Sequence, residues 1–200
     1  MPAPPVQLIV GLGNPGSGYA RTRHNAGFWF VEALASRYHL TLRPERKFQG
    51  VTSRWRGEGF DVHLLCPLTY MNHSGRAVAA LARFHRIPPE AMLVVHDEID
   101  LPPGAVRLKR GGGHGGHNGL RDIIAATGTR EFGRLRLGVG HPGHSDQVVR
   151  YVLHAPGQQE QQAIEGAVTD AAEIAGLWRP ATGTGRSRHC TRGAENYHGV

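Results

Sequence analysis

The run GGGHGGHNG at 111–119 constrains the fold of this chain more than any other segment, because six of its nine residues are glycine. Glycine loses more conformational freedom on folding than any other residue, so a run this bare is costly unless the backbone requires it. Two uses fit the pattern: turns with positive φ, or backbone N–H groups left open to a ligand. A flexible surface turn is the plain alternative.

The residues after this glycine run indicate a helix. Residues 120–126 have a helix-forming pattern, and Asn118 is well placed as the N-cap. The N-terminus of a helix presents free backbone N–H groups and the positive end of the helix dipole. A bare loop that leads into such a terminus therefore predicts a binding surface for a polar or anionic group.

Length and composition limit the class of protein. Two hundred residues suit one domain with a substantial core, and no apolar run is long enough to cross a bilayer. The start of the chain lacks the layout of a signal peptide, and two cysteines are too few for a disulfide framework, so we expect a cytoplasmic protein. The formal net charge of +7, with thirteen histidines uncounted, favours nucleic acid as a partner.

Strand and helix patterns alternate along the chain. Alternation of strands with helices is typical of a three-layer α/β/α domain, and we predict one over residues 1–178 with a mixed, mostly parallel twisted sheet. From Arg179 the chain loses periodicity, which predicts a basic, flexible tail over 179–200. The predicted strands are 7–12, 51–55, 60–65, 91–96, 105–110 and 134–139; the predicted helices are 25–38, 74–85 and 158–178; and 148–153 is ambiguous.

Three short segments predict a hairpin, a strand pair and a helix cap. The Arg56–Gly59 segment predicts a hairpin between its flanking strands. The turn at 100–104 predicts that strands 91–96 and 105–110 are antiparallel neighbours, the second of them half-buried. Ser74 is the expected N-cap of the helix that follows it.

The motif Gly11-x-Gly13-x-x-Gly16 has the glycine spacing of the dinucleotide-binding fingerprint but not its structural context. In that fingerprint the helix opens within the glycines, so that its N-terminus meets the pyrophosphate. Here Pro15 lies between the glycines and a polar loop follows before any helical pattern begins. The sequence therefore argues against a Rossmann cofactor site.

Polar side chains rich in asparagine and histidine cluster at four predicted strand ends. Open α/β sheets place their sites at the carboxyl ends of strands, so we expect the four clusters to meet in one cleft. The clusters are Asn14, Tyr19, Arg21, Arg23, His24 and Asn25; Thr69, Tyr70, Asn72, His73 and Ser74; His96, Asp97 and Glu98; and the glycine run with Asn118.

The residue types in this cleft suit three kinds of chemistry to different degrees. Its histidines could hold a metal. However, a spacing of two residues between histidines in a glycine loop is only a weak sign of a metal site, and neither Cys-x-x-Cys nor His-Glu-x-x-His occurs. A serine nucleophile lacks its Gly-x-Ser-x-Gly elbow, and Cys66 lies inside an apolar strand, as inert buried thiols do. A histidine general base oriented by a carboxylate remains.

Five segments in order carry a family resemblance: 8–27 (LIVGLGNPGSGYARTRHNAG), 67–75 (PLTYMNHSG), 95–104 (VHDEIDLPPG), 107–123 (RLKRGGGHGGHNGLRDI) and 132–143 (FGRLRLGVGHPG). Together they resemble the bacterial-type peptidyl-tRNA hydrolases. The resemblance implies a monomeric esterase that cleaves peptidyl-tRNA at the 3′ ribose and returns tRNA for reuse. The family uses no metal or cofactor.

The resemblance also implies roles for individual residues. His24 matches the catalytic histidine, and Asp97 matches the aspartate that keeps this imidazole basic. A carboxylate that accepts from one ring nitrogen fixes the tautomer and leaves the other nitrogen free to take a proton from water. Asn14 matches the position that distinguishes a blocked amine from free aminoacyl-tRNA. The remaining matches are Asn72 and Asn118, which hold the 3′ end and peptide; Tyr19 and Tyr70, which line the site; and Lys109 and Arg136, which clamp a tRNA phosphate.

Each role has a plainer alternative. His24 and Asp97 could form a structural pair, Asn14 and Asn118 could serve only as turn and cap residues, and Lys109 could be an ordinary solvated charge, as could Arg136. Arg107 could share the phosphate contact. The other four histidines, His114, His117, His141 and His144, are expected to shape loops or touch RNA.

The chain departs from the family pattern at two places. Cys66 stands where the family usually has a basic residue before the proline, so any charge contributed there is lost. The tail from Arg179 does not resemble the family's usual short ending, and we expect no fold over the site from it.

Overall fold

Seven strands and five α-helices form residues 4–175, the part of the chain that the computed structural model describes. The predicted tail lies outside the described residues, as do the last three residues of the predicted 158–178 helix. The strands are β1 (Leu8–Gly11), β2 (Arg43–Glu45), β3 (Gly50–Gly57), β4 (Phe60–Pro67), β5 (Met92–Glu98), β6 (Val106–Arg110) and β7 (Gly133–Gly138). The helices are α1 (Ala26–Arg37), α2 (Ser74–His85), α3 (Asn118–Thr127), α4 (Val148–Val152) and α5 (Gln158–Ala175).

The strands form one mixed sheet in the order β2-β3-β4-β1-β5-β7-β6. The central pairs β4–β1, β1–β5 and β5–β7 are parallel, whereas β2–β3, β3–β4 and β6–β7 are antiparallel. Five of the seven strands therefore run in one direction, which confirms the predicted mixed, mostly parallel sheet. The predicted hairpin is β3–β4, whose last pair joins Gly57 to Phe60.

Helices cover both faces of this sheet, as predicted for a three-layer domain. Side chains alternate along β1, so that Ile9 packs on one face while Leu8 and Val10 pack on the other. Helices α1 and α5 cover the face of Ile9, and α2 and α3 cover the face of Leu8. Each such leucine or isoleucine is nearly inaccessible to water, and full burial of one contributes roughly 1.5–3 kcal/mol.

The predicted pairing of 91–96 with 105–110 is wrong, because β7 lies between β5 and β6. Leu135 and Leu137 of β7 are buried under α1 and α5, so β7 occupies the inner position. β6 carries Arg107 and Lys109 and takes the edge, where all its residues but Val106 are exposed. The prediction that β6 is half-buried is therefore also wrong.

The expected N-cap of α2 is wrong by one residue. His73 is the N-cap and Ser74 is the first residue of the helix. The hydroxyl of Ser74 donates to the carbonyl of Met71 at 2.8 Å, because a short 3-10 turn over 71–73 leads directly into the helix. The other predicted helices begin within one residue of the expected position.

The first glycine motif brings helix α1 against the sheet. A Cβ built on Gly11 would lie 2.2 Å from the carbonyl oxygen of Gly27, and one on Gly27 would lie 2.4 Å from the carbonyl oxygen of Val95. Both contacts would be severe clashes, so this approach requires glycine on both elements. The close packing fixes the start of α1 at the carboxyl ends of β1 and β5, immediately after His24.

Among the described residues, no helix combines the length and the apolar character that a membrane crossing requires.

Candidate active site

A cleft of about 640 Å³ opens at the carboxyl ends of β1 and β5. Its walls come from the glycine run, helix α4, the 3-10 turn before α2 and the basic face of β6 and β7. Eight of the nine residues predicted for the site line this cleft; Tyr19 does not. The eight are Asn14, His24, Tyr70, Asn72, Asp97, Lys109, Asn118 and Arg136.

His24 and Asp97 are hydrogen-bonded inside this cleft. Nδ1 of His24 lies 2.9 Å from Oδ1 and 3.0 Å from Oδ2 of Asp97. Asp97 is buried, and its ionised carboxylate can only accept, so Nδ1 of His24 carries the proton and donates. Within residues 4–175, Nε2 of His24 has no hydrogen-bond partner, which leaves its lone pair available to the cleft.

A second histidine, His117, also binds Asp97. Nδ1 of His117 accepts from the backbone N–H groups of Gly119 (3.2 Å) and Leu120 (3.4 Å), so this nitrogen is unprotonated. Nε2 of the same ring therefore carries the proton and donates to Oδ1 of Asp97 at 3.0 Å. His117 is thus a neutral ring with a fixed tautomer that orients the carboxylate.

The predicted N-cap of α3 is accordingly wrong. His117, with extended backbone angles, is the N-cap, and Asn118 is the first helical residue. The imidazole of His117 satisfies the two amides that an asparagine cap would have bound, so the side chain of Asn118 is exposed at the cleft. Sequence reasoning missed His117 because histidine is an uncommon N-cap residue beside an asparagine.

Burial and charge shift the pKa values of His24 and Asp97 in opposite directions. Burial lowers the pKa of His24, but the charge of Asp97 and the hydrogen bond to it raise the pKa more, and the net shift is upward. Burial raises the pKa of Asp97, yet the two histidines outweigh it and hold that pKa well below its ordinary range. Asp97 is therefore ionised, and His24 is a stronger base than a free imidazole.

His96 precedes Asp97 and lines the same cleft without joining its hydrogen bonds. Its Nδ1 lies 2.7 Å from the carbonyl oxygen of Asp97, to which it donates. Burial, the largest cause, lowers the pKa of His96 to about 3. His96 is therefore neutral at any working pH.

The cluster of His24, Asp97 and His117 also has the spacing of a metal site, with one ligand atom from each within 4.8 Å of the others. A metal needs the lone pair of Nε2 on His117, whereas the helix cap requires the lone pair of Nδ1 on that ring. A neutral imidazole offers only one of the two. The hydrogen bonds thus favour protons over a metal between these side chains.

Asn14 is held rigidly by its neighbours. Its Oδ1 accepts from the backbone N–H of Met71 at 2.8 Å, and its own backbone groups bind the side chain of Asn25 at 2.9 and 3.0 Å. Because Oδ1 must face the N–H donor of Met71, Nδ2 remains as a donor toward the cleft. Asn25 is a supporting residue whose individual role the sequence did not indicate.

The glycine run is bare mainly for its backbone conformation. Gly111, Gly112, Gly115 and Gly116 all have positive φ, so the turn explanation accounts for four of the six glycines. Gly113, by contrast, borders open space, where a bound group can approach the backbone. The turn explanation is thus confirmed for four glycines, and the approach of a ligand to this loop stays a prediction.

Two of the loop-borne histidines shape their own loops, as the sequence suggested. Nδ1 of His114 accepts from the backbone N–H of Gly116 at 3.0 Å, and Nδ1 of His141 accepts from Gly143 at 2.9 Å. His114 lines the cleft, whereas His141 and His144 are exposed and do not.

The basic residues expected to bind phosphate lie on one face of β6 and β7. Lys109 is exposed, while Nε of Arg136 donates to Oε2 of Glu98 at 2.8 Å. Arg107 is paired across the strands with Arg136 but is not part of the cleft wall. The guanidinium of Arg136 is therefore oriented by Glu98, whereas the ammonium of Lys109 is exposed.

An apolar wall faces the histidines. It is formed by helix α4, the segment that sequence patterns left ambiguous, through Val148, Val149, Val152 and Leu153. Val149 is 68% exposed, and Tyr70, which also lines the cleft, is 60% exposed. Periodicity could not assign this short helix, so the sequence did not predict the wall.

Cys66 is buried in the core on β4, and burial raises the pKa of its thiol. The thiol is therefore protonated and inert, as expected for an apolar strand position.

Comparison with known proteins places this geometry in a family. A family model described as peptidyl-tRNA hydrolase matches residues 8–191, which is most of the chain. The chain belongs to the peptidyl-tRNA hydrolase family. It is therefore an enzyme of that class, and the resemblance carried by the five sequence segments is confirmed.

Individual relatives of the enzyme agree with this assignment. A peptidyl-tRNA hydrolase of Halorhodospira halophila is 62% identical over 86% of this chain and 91% of its own length. One from Haemophilus influenzae is 56% identical over 84% and 87% of the two chains. The crystal structure of peptidyl-tRNA hydrolase from Acinetobacter baumannii, 53% identical, superimposes with a TM-score of 0.83 over 86% of this chain and 88% of that one.

Proposed function

We propose that this enzyme hydrolyses the ester between a peptide and the 3′ ribose of tRNA, with His24 as general base for the attacking water. The observation that carries the proposal is the bond from Nδ1 of His24 to buried Asp97, which leaves Nε2 free in the cleft. General-base catalysis needs a neutral nitrogen within reach of a water, at a pKa near the working pH. The upward shift in the pKa of His24 supports that role.

In the proposed reaction, one proton passes from water to His24 and then to the ribose oxygen. Nε2 of His24 takes a proton from water as the water oxygen bonds to the ester carbonyl carbon. The carbon–oxygen bond to the ribose then breaks, and the imidazolium returns the proton to the departing 3′ oxygen. Asp97 stabilises the imidazolium between the two steps, and His117 keeps the carboxylate aimed at it.

The asparagines are assigned to the peptide and the 3′ end. Asn14 presents Nδ2 as a fixed donor, which suits the acyl carbonyl of an N-blocked aminoacyl group and disfavours a free ammonium. Asn72 and Asn118 are both exposed at the cleft, and each carboxamide can donate and accept at once. They hold the 3′ end and the peptide backbone.

The aromatic and basic residues are assigned to RNA. The exposed ring of Tyr70 suits stacking on a base or on the peptide. Tyr19 has the same role by resemblance, although it lies outside the cleft wall in the loop before His24. Lys109 and Arg136 clamp a tRNA phosphate away from the ester, and Glu98 aims the Arg136 guanidinium.

The wider setting of the proposal follows the family. The enzyme acts as a monomer in the cytoplasm, with residues 1–178 as the catalytic domain and 179–200 as a basic tail. It uses no metal, because the proton positions around His117 favour hydrogen bonds over metal ligation. A metal-dependent hydrolase built on His24, Asp97 and His117 is the competing function, since their spacing would suit one.

One assay separates the two mechanisms: release of N-acetylated amino acid from tRNA by wild type and by His24→Ala, each with and without chelator. We expect wild type to be insensitive to the chelator and His24→Ala to lose activity under both conditions. Loss of wild-type activity with chelator, restored by added Zn²⁺, would replace the proposal with the metal mechanism. Asp61→Asn, which changes an exposed carboxylate outside the cleft, is the control.

A further inference from the structure

Arg134 is a buried cation beside the glycine run. Its side chain lies on β7, and only 3% of the residue is exposed. Nη1 donates to the carbonyl oxygen of Gly113 and Nη2 to that of Gly112, both at 2.5 Å. The guanidinium also lies 4.9 Å from the ring centroid of Phe132. Arg134 therefore binds the backbone of the run through both of its terminal nitrogens.

This arrangement is not explained by stability alone. Burial lowers the pKa of Arg134, and Nε has no partner within residues 4–175. Taking a guanidinium out of water is unfavourable, and well-packed apolar residues often replace buried charges without loss of stability. The hydrogen bonds to Gly112 and Gly113 therefore point to a function of Arg134 in the conformation of the glycine loop.

The bound loop lies directly against Lys109. A Cβ built on Gly112 would lie 3.0 Å from Cε and 3.1 Å from Nζ of Lys109, so the lysine side chain rests on that bare backbone. Lys109 is also the cross-strand partner of Arg134. The hydrogen bonds commit both terminal nitrogens of Arg134 to carbonyls, whereas the ammonium of Lys109 lines the cleft as an exposed cation.

The same loop continues to the residues that act on Asp97. From Gly113 the chain reaches His117 within one short turn, in which the backbone N–H of Gly116 donates to Nδ1 of His114 and that of His117 donates to the carbonyl of His114. Two hydrogen bonds from the guanidinium of Arg134 hold the loop at Gly112 and Gly113, and the two hydrogen bonds of the His117 cap hold it at the start of α3.

We propose that Arg134 is a positioning residue, which fixes the glycine loop so that Lys109 meets the tRNA phosphate. The proposal rests on the phosphate role that the proposed function gives to Lys109. It requires arginine itself, because a lysine at position 134 would keep the charge but could not span two carbonyls with a planar fork.

The loop part of the proposal is tested by hydrogen exchange. We expect Arg134→Lys to speed amide exchange over 111–117 at least several-fold, with global stability measured in parallel. Arg54→Lys is the matched control, because Arg54 makes a two-pronged bond to Asp61 on the β3–β4 hairpin outside the cleft. Unchanged exchange over 111–117, or equal acceleration across the whole chain, would overturn the proposal.

The functional part is tested by salt dependence. The logarithm of the association constant for tRNA falls linearly with the logarithm of salt concentration, with a slope set by the phosphate contacts, and loss of one contact reduces the slope by about 1. We expect Arg134→Lys to reduce this slope as Lys109→Ala does, although it removes no charge. The double variant should show no further reduction.

The salt slopes of the two variants distinguish the role of Arg134 from the phosphate contact of Lys109. A normal slope for Arg134→Lys beside a reduced slope for Lys109→Ala would overturn the role of Arg134 and leave the phosphate clamp standing. A normal slope for Lys109→Ala would contradict the clamp, and the exchange rates over 111–117 would then decide alone whether Arg134 fixes the loop.

Discussion

Nε2 of His117 donates to Oδ1 of Asp97 at 3.0 Å while Nδ1 of the same ring caps helix α3. One imidazole therefore joins the glycine loop, the helix and the carboxylate that holds His24. The carboxylate accepts from both histidines, so its orientation depends on the loop as well as on β5. The glycine run and His24, the proposed general base, are parts of one hydrogen-bonded unit.

His117→Ala is expected to impair both stability and catalysis. Loss of the cap costs about 1 kcal/mol of unfolding free energy, and the freed carboxylate should lower kcat about tenfold or more. His117→Asn separates the effects, since asparagine is a good N-cap residue but lacks an imidazole to reach Asp97. Denaturant unfolding and kcat would be measured on both variants. Restoration of full kcat by asparagine would show that the bond to Asp97 is dispensable.

The pH dependence of kcat follows from the pKa of His24. Only the neutral imidazole can accept a proton, so activity rises as pH passes upward through this pKa. Because Asp97 raises the pKa of His24, the midpoint should lie above the ordinary value of 6.5. Asp97→Asn removes the charge, so it should move the midpoint to lower pH and reduce kcat about 10²-fold or more. A midpoint that stays in place in Asp97→Asn would contradict the pairing.

Selectivity for a blocked amine is assigned to Asn14. Asn14→Asp keeps the oxygen that accepts from Met71 but replaces the Nδ2 donor with a charged acceptor. We expect the preference for N-acetyl-aminoacyl-tRNA over aminoacyl-tRNA to narrow about tenfold or more, on the scale of a lost specificity-determining hydrogen bond. Asn72→Asp adds the same charge at the cleft and is the control. Equal ratios for wild type and Asn14→Asp would remove this role.

Gly11 is predicted to be irreplaceable for packing. Gly11→Ala would place a methyl group 2.2 Å from the carbonyl of Gly27, and forcing the two elements apart should cost about 1–3 kcal/mol or more. Gly18→Ala, with nothing within 4 Å of the new Cβ, should be tolerated. Thermal or denaturant unfolding of the two variants checks this. Similar stability for both would mean that α1 can withdraw from the sheet at no cost.

The sequence predicted the layered fold well because hydrophobic periodicity is a local signal. It failed in strand order between β5 and β6, since the choice depends on which strand buries leucines under distant helices. Alternation in β6 resembles that of β7, yet Arg107 and Lys109 occupy an edge. Only the tertiary contacts of Leu135 and Leu137 distinguish the two strands.

The site was predicted through motif resemblance more than through local chemistry. His24 and Asp97 are separated by 73 positions, so only the fold brings their atoms to 2.9 Å. His117 and Arg134 were not predicted as supporting residues, because only the fold brings them to the backbone groups that they bind and brings His117 to the carboxylate of Asp97. The wall from helix α4 was missed because five helical residues are too few for a periodic signal.

Single-turnover hydrolysis of N-acetyl-aminoacyl-tRNA by His24→Ala, with tRNA affinity measured on the same preparation, tests whether His24 is the general base. We predict that the chemical rate falls about 10²–10⁴-fold, the range expected for a lost general base, while tRNA affinity stays within about twofold of wild type. A chemical rate close to that of wild type, with the substrate fully bound, would show that His24 is not the general base.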